Sequence, residues 1–131
     1  MFSRSCEYAF QALLYIASAP RWQPVQLQEI AQEYKTSRYF LSKVLQTLVK
    51  NGLLSSHKGP GGGFTLAKPS SEITLLEVVC AIKGSDFLEE CLLGLPYCRR
   101  SRPCPVHEVK EGIHNLLGSN TIAQLLDIKL I

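Results

Sequence analysis

The sequence predicts a mainly α chain carrying one small β hairpin, an α+β arrangement with a separate helix toward the C-terminus. Three observations predict it. Apolar residues recur at helical spacing in several segments of the chain. A glycine- and proline-rich run at 59–63 lies between two short stretches with strand character. Gly94, Pro96 and Pro103 then interrupt a thiol-rich stretch, so no continuous helix crosses it.

At 131 residues the chain fits one domain, or one domain with an added helix. The 46% apolar content is enough for a core, and 19% charged is typical of a soluble protein. No apolar run reaches the ~18 residues that span a bilayer. The N-terminal stretch has one basic residue and ends in small residues, like a signal peptide, but Glu7 and Gln11 interrupt it and its spacing suits an amphipathic helix. A cytoplasmic protein without membrane association is expected. The five cysteines, an odd number, argue against a closed secreted disulfide framework. A formal charge of +3 and pI near 8.6 are compatible with nucleic acid without establishing it.

Residues 3–18 read as a first helix, with Ala9, Ala12, Leu13, Ile16 and Ala17 on one face. Ala19-Pro20 and Pro24 make a connector. A short second helix over about 26–33 carries Leu27, Ile30 and Ala31, and Lys35-Thr36 form a turn. Thr36 or Ser37 caps a third helix, 37–50, which stops at Asn51-Gly52. On it, Phe40, Leu41, Val44, Leu45 and Leu48 form an apolar arc. Tyr39, Ser42, Lys43, Gln46 and Lys50 fall on the other side, with Arg38 at the rim. Such a stripe is commonly a solvated face. Here it lacks any acidic residue and every member can donate a hydrogen bond, so the pair of helices reads as a helix-turn-helix.

Leu53-Leu54 and Phe64-Thr65-Leu66 have strand character, and the glycines between them make a hairpin loop. Glycines there, Gly59 and Gly61 among them, let the backbone approach a partner closely. A phosphate-cradling nucleotide loop fails because neither GxxxxGK[ST] nor a following helix is present. Directly after a helix-turn-helix, the hairpin is a wing, and His57 and Lys58 at its shoulder can reach DNA backbone or minor groove. Further on, Cys91, Cys98, Cys104 and His107 are spaced C-x6-C-x5-C-x2-H. A loop with so little apolar area needs another source of order, and a metal or cluster held by thiolates is the natural candidate.

The stretch HKGPGGGFTLAKPSSEITLLEVVCAIKG, after a helix ending LVKNGLLSS, resembles the IscR-like (Rrf-two) family of bacterial winged-helix transcription regulators. The resemblance runs from about Tyr8 to Leu126, and the GPGGG[YF]xLA wing followed by I-T-L-x-[ED]-V is its specific part. It implies a three-cysteine loop that binds an iron–sulfur cluster, and hence cluster-sensing control of transcription. Some relatives have an acidic and an amide residue where this chain has Ser42 and Lys43, and an arginine at Lys58, so no consensus operator is carried over.

After the wing, Thr74 and Glu77 form a capping box for a helix ending near Lys83-Gly84. Val78, Val79 and Ile82 are its buried side, with Cys80 expected among them as a small core residue. Pro105 starts another helix, along which Val106, Val109, Ile113, Leu116 and Leu117 recur. Gly118-Ser119-Asn120 breaks the run, and residues 121–128 read as a final turn or two. The apolar stripe suits a homodimer, as the resemblance also implies, and a symmetric dimer predicts a pseudo-palindromic operator. The chain divides into a winged helix-turn-helix domain over 1–84, a cysteine-rich cluster-binding loop over 85–104, and a dimerisation helix and C-terminal tail over 105–131.

Three thiolates are one ligand short of a four-ligand set. His107 stands at i+3 from Cys104 and can face the same way; the resemblance gives a histidine at this place as a known ligand. The resemblance also offers Glu7, from the first helix of the other subunit, with Cys6 beside it as a third candidate. Three other readings compete: a Cys3His zinc site, a thiol–disulfide switch favoured by Arg99, Arg100 and Arg102, and idle cysteines. His114 has no nearby ligand set and reads as a surface or interface residue. No catalytic constellation is present. The expectation is a non-enzymatic, sequence-specific regulator of double-stranded promoter DNA controlled by an iron–sulfur cluster, 2Fe-2S favoured over 4Fe-4S and repression over activation. Tyr39, Ser42, Lys43 and Gln46 would reach base edges, and Arg38, Lys50 and Lys58 phosphates. The alternative is a zinc-binding or thiol-redox-sensing winged-helix protein.

Overall fold

The computed structural model describes residues 2–20, 23–84 and 90–129. The first five positions of the expected 85–104 loop therefore lie outside the described residues, as do Met1 and positions 130 and 131. Helix α1, Arg4–Ser18, begins where the Ser3 hydroxyl accepts the Cys6 N–H at 3.4 Å. Its face of Ala9, Ala12, Leu13 and Ile16 is buried. Helix α2, Leu27–Tyr34, is opened by the Gln26 N–H donating to Glu29 Oε2 at 2.8 Å. Lys35 then takes the left-handed conformation, φ 51°, and turns the chain into α3, Arg38–Lys50. Of the two cap candidates it is Ser37 that accepts the Phe40 N–H, at 3.3 Å, while the Thr36 hydroxyl oxygen is buried without a partner.

Strands β1, Leu54–His57, and β2, Gly63–Leu66, pair antiparallel with Leu54 opposite Leu66 and His57 opposite Gly63. Leu53, expected in the first strand, is instead a buried residue just before it. The connector joins this hairpin: Val25 and Phe64 exchange backbone hydrogen bonds of 2.8 and 2.9 Å. A Cβ at Gly63 would sit 2.4 Å from the Val25 carbonyl oxygen, so the connector approaches the hairpin only because residue 63 is glycine. The wing is thereby tied to the helix-turn-helix rather than hanging from it.

Helix α4, Leu75–Lys83, opens with the expected capping box, and Lys68 pairs with Glu77 at 3.0 Å. Helix α5, His107–Ser119, starts two residues after Pro105, where the sequence placed it. Helix α6, Ile122–Lys129, is the short final helix expected of this segment, shifted by one residue. Ile122 is fully buried in the main core, and its N–H donates to the Ile73 carbonyl at 2.9 Å. The Leu75 N–H donates to the Asn120 carbonyl at 3.0 Å, so the chain after α5 returns to the base of α4. α1 is the hub, packing against α2, α3, α4, α6 and β2. No helix among the described residues is long and apolar enough to cross a membrane.

Two core assignments are corrected, both by helix geometry at 100° per residue. Phe40 stands roughly 90° from the centre of the Leu41, Val44, Leu45 and Leu48 arc; it is partly exposed and packs edge-on against Tyr8, centroids 5.3 Å apart. Cys80 stands roughly 150° from the centre of the Leu75, Val78, Val79 and Ile82 arc and is only half-buried.

If α6 belongs to the core, Ile122→Ala lowers unfolding stability by about 2–5 kcal/mol, the range for deleting a buried aliphatic side chain. Ile128→Ala, at an exposed site on the same helix, stays within about 0.5 kcal/mol of wild type. Denaturant midpoints at unchanged slope measure both.

Candidate functional site

Burial of Leu41, Val44, Leu45 and Leu48 turns the other side of α3 outward. Arg38, Tyr39, Lys43, Gln46 and Lys50 are exposed there and Ser42 is half-buried. Tyr39 is 72% exposed, and the Lys43 ammonium lies 4.6 Å from its ring centroid. Gln46 Nε2 donates to Ser42 Oγ at 3.3 Å. Two i,i+4 pairs therefore order four donor side chains on a face without a carboxylate, which suits an anionic, donor-seeking partner.

At the wing, His57, Lys58, Gly59 and Gly61 are exposed. The Gly62 N–H donates to the Gly59 carbonyl at 3.0 Å, closing the tip, and the His57 ring bonds the Thr65 hydroxyl at 2.9 Å. Gly59 and Gly61 hold φ of 89° and 75°, and nothing in the chain lies within 4 Å of a Cβ built on either. Their requirement for glycine is conformational, and the bare tip faces outward.

The second site is the thiol loop. Cys91, Cys98 and Cys104 bring their Sγ atoms within 4.8 Å of one another, with Cys91 and Cys104 at 3.6 Å. Local backbone bonds shape the loop. Gly94 (φ 73°) donates its N–H to the Cys91 carbonyl, and Arg99 and Arg102 exchange N–H···O bonds of 3.0 and 3.2 Å. The Cys104 N–H donates to Cys98 Sγ at 3.3 Å. Cys98 is buried; the other two thiols are half-buried.

The backbone N–H of Leu95, with further help from Leu93 and from the other two thiols, lowers the Cys91 thiol to about 7. Burial raises the Cys104 thiol above the ordinary range. The arginines expected to favour thiolates are not the cause. Arg99 donates its guanidinium to the Pro96 and Cys98 carbonyls instead.

A cavity of about 380 Å³ adjoins the thiols, lined by Cys91 and Cys98 from the loop, by Arg99 and Arg100, and by His107, Lys110, Glu111 and His114 from α5. His107 shares this cavity with two of the thiols, but the convergent ligand group is the three cysteines without it. Its Nε2 lies 3.2 Å from Glu111 Oε1. Glu7 is exposed in the first turn of α1, outside that lining, and Cys6 is fully buried. Sequence reasoning passed over Glu111, and of His114 it saw no more than a surface or interface residue. His114 belongs to no ligand group and is half-buried in the cavity wall, with Nε2 buried and unpartnered. The spacing of His107, Glu111 and His114 at i, i+4 and i+7 was the available signal.

The Rrf2 profile, described as iron-dependent transcriptional regulators, matches residues 2–128. That is nearly the whole chain. The chain belongs to the Rrf2 family. A relative from Aquifex aeolicus, described by its helix-turn-helix type, is 37% identical over 135 aligned positions, covering 98% of this chain and 93% of its own. The regulator IscR of Photorhabdus laumondii is 33% identical, covering 92% of this chain and 75% of that protein. Among solved structures, T. potens IscR superposes with a TM-score of 0.80 at 26% identity over 98% of this chain and 88% of the other. CymR of B. subtilis superposes at 0.84 and 21% identity over 98% and 97%, a likeness of fold. This Rrf2 chain is thus a helix-turn-helix transcription regulator of the DNA-binding kind, in a family of regulators and not of enzymes. Its three convergent cysteines are able to hold a metal.

In the metal-free protein, alkylation of Cys91 should rise with pH through a midpoint near 7, because the thiolate is the reacting form. Cys104 should need a higher pH than an ordinary thiol. Peptide mapping by mass spectrometry after brief exposure to iodoacetamide separates the two.

Proposed function

We propose that this chain is a homodimeric, sequence-specific regulator of promoter DNA, acting in the cytoplasm, whose DNA binding is set by an iron–sulfur cluster on Cys91, Cys98 and Cys104. The convergence of three thiols, two of them lining a cavity walled by His107, carries the reading. His107 is the fourth ligand, with Glu111 holding its ring as carboxylates commonly hold metal-bound imidazoles. The fit is chemical as well as spatial. One thiol already lies near neutral pH in its ionisation, so a thiolate is at hand for a metal. When bound, the group would supply redox activity and lability; 2Fe-2S is our favoured type over 4Fe-4S.

On DNA, α3 enters the major groove with Tyr39, Ser42, Lys43 and Gln46 toward base edges. Arg38, Lys50, His57 and Lys58 meet phosphates, and the bare backbone at Gly59 and Gly61 allows the wing close approach. The dimer is supported by α5, on which Val109 and Leu116 are 53% and 65% exposed in the single chain. Two α3 helices related by that dimer read a pseudo-palindrome.

One observation favours a second reading. Three sulfurs within 4.8 Å of one another, with an imidazole nearby, also suit one tetrahedral zinc ion. Anaerobic purification with iron, sulfide and zinc analysis separates the two: a colourless protein with stoichiometric zinc sinks the cluster. His107→Ala should then alter the cluster's spectrum and lifetime, whereas Glu7→Ala should not; the reverse result moves the fourth ligand to the partner's α1.

For the DNA face, Gln46→Ala should cost about 1–3 kcal/mol and relax preference at one base pair. Lys58→Ala should weaken binding to all sequences and reduce the slope of log affinity against log salt by about 0.9. Titrations of promoter fragments at several salt concentrations read both. Salt-independent or absent DNA binding in every cluster state overturns the regulator reading.

A further inference from the structure

His107, Glu111 and His114 fall within an arc of roughly 60° on α5, and all three line the cavity that Cys91 and Cys98 share. Their ring nitrogens are in different situations. His107 Nε2 is engaged by Glu111 at 3.2 Å. His114 Nε2 is buried and has no hydrogen-bond partner. An imidazole nitrogen is always a donor or an acceptor, and leaving one buried and unpaired costs about 1–3 kcal/mol. Two of the three cations in the cavity wall are engaged by backbone carbonyls, Lys110 by that of Glu90 and Arg99 by those of Pro96 and Cys98. The fold thus retains an uncommitted imidazole nitrogen in the wall of its thiol cavity.

We propose that His114 contacts the iron–sulfur cluster directly, as a hydrogen-bond donor from Nε2–H to cluster or thiolate sulfur. The proposal rests on the cluster reading above. Three thiolates and His107 already complete a four-ligand set, so the role of His114 is donation and not ligation. Hydrogen bonds to sulfur are among the levers that set a cluster's reduction potential. By drawing electron density from the sulfur they stabilise the reduced form and raise the potential. Partners of this kind typically contribute 10–100-fold in metal affinity.

The test uses the full chain, reconstituted anaerobically, with His114→Leu to remove the donor at similar volume and His114→Gln to keep an N–H donor. In H114L, iron and sulfide content should match wild type, the reduction potential should move negative, and absorbance loss to a chelator should be about tenfold faster. H114Q should recover most of both changes. Wild-type potential and chelator kinetics in H114L overturn the proposal. So does an equal change in H114L and H114Q, or a lowered melting temperature of the metal-free protein with unchanged cluster readouts, since each assigns His114 to packing. A wild-type chain that assembles no iron and sulfide overturns the cluster reading beneath it, and shows this before any variant is made.

Discussion

The burial of one small-residue face on α1 is the constraint from which both functional surfaces follow. Ala9 and Ala12 are fully buried on the same face as Leu13 and Ile16, and the helix packs against α2, α3, α4, α6 and β2. Alanines let neighbouring backbones come close, and a close-packed interior leaves little freedom to slide. Through α3 this contact aims the donor face of Tyr39, Lys43 and Gln46 outward. Through α4 and α6 it anchors both ends of the segment that carries the thiols and α5. A change in the thiol loop is therefore referred to the same rigid body that holds the reading helix.

Much of this was legible because the signals are local. Ser37, Asn51-Gly52, the Thr74–Glu77 box and the wing glycines act over a few residues, and each marks a boundary found in the structure within a residue or two. Reading failed where position depended on distant chain or on an angle left uncounted. The burial of Ile122 requires Ile73 and α1, which no local pattern near residue 121 announces. Phe40 and Cys80 were placed by proximity to apolar neighbours, when their angles on the helix put them at the rim and the far side. The bridge at Val25 was invisible for the opposite reason: a single backbone pairing leaves almost no pattern, and its trace is the glycine at 63.

The candidate site divides the same way. The three cysteines could be named from spacing, because a thiol triplet in a Pro- and Gly-broken loop has few structural uses. Their electrostatics could not. Three arginines nearby suggested that cationic charge lowers the thiols, whereas the Leu95 and Leu93 N–H groups do it for Cys91. A guanidinium on a flexible, exposed side chain is screened and turns to carbonyls. A backbone N–H fixed by a turn stays aimed at its sulfur. The loop is thus held by backbone donors, with Cys98 buried and Leu93 and Tyr97 left outside, so its order comes from polar contacts more than from apolar area.

Helix α5 joins the two halves of the proposed mechanism, and its angles show how. His107, Glu111 and His114 centre on one side, facing the thiol cavity, while Val109 and Leu116 stand roughly 180° away and are exposed. A helix with one face committed to a cofactor cavity and the opposite face apolar cannot rotate to suit one without moving the other. In the proposed mechanism, occupancy of the cavity would set the roll of α5 about its axis, and through it how two copies meet across Val109 and Leu116 and the separation of their α3 helices on DNA. Because Asn120 and Ile122 fasten the far end of α5 to α4 and to the core, the freedom left to the helix lies at its His107 end, beside the sulfurs. A sensor built this way needs no large motion. It needs only a loop that is stiff when occupied and a helix hinged at the opposite end.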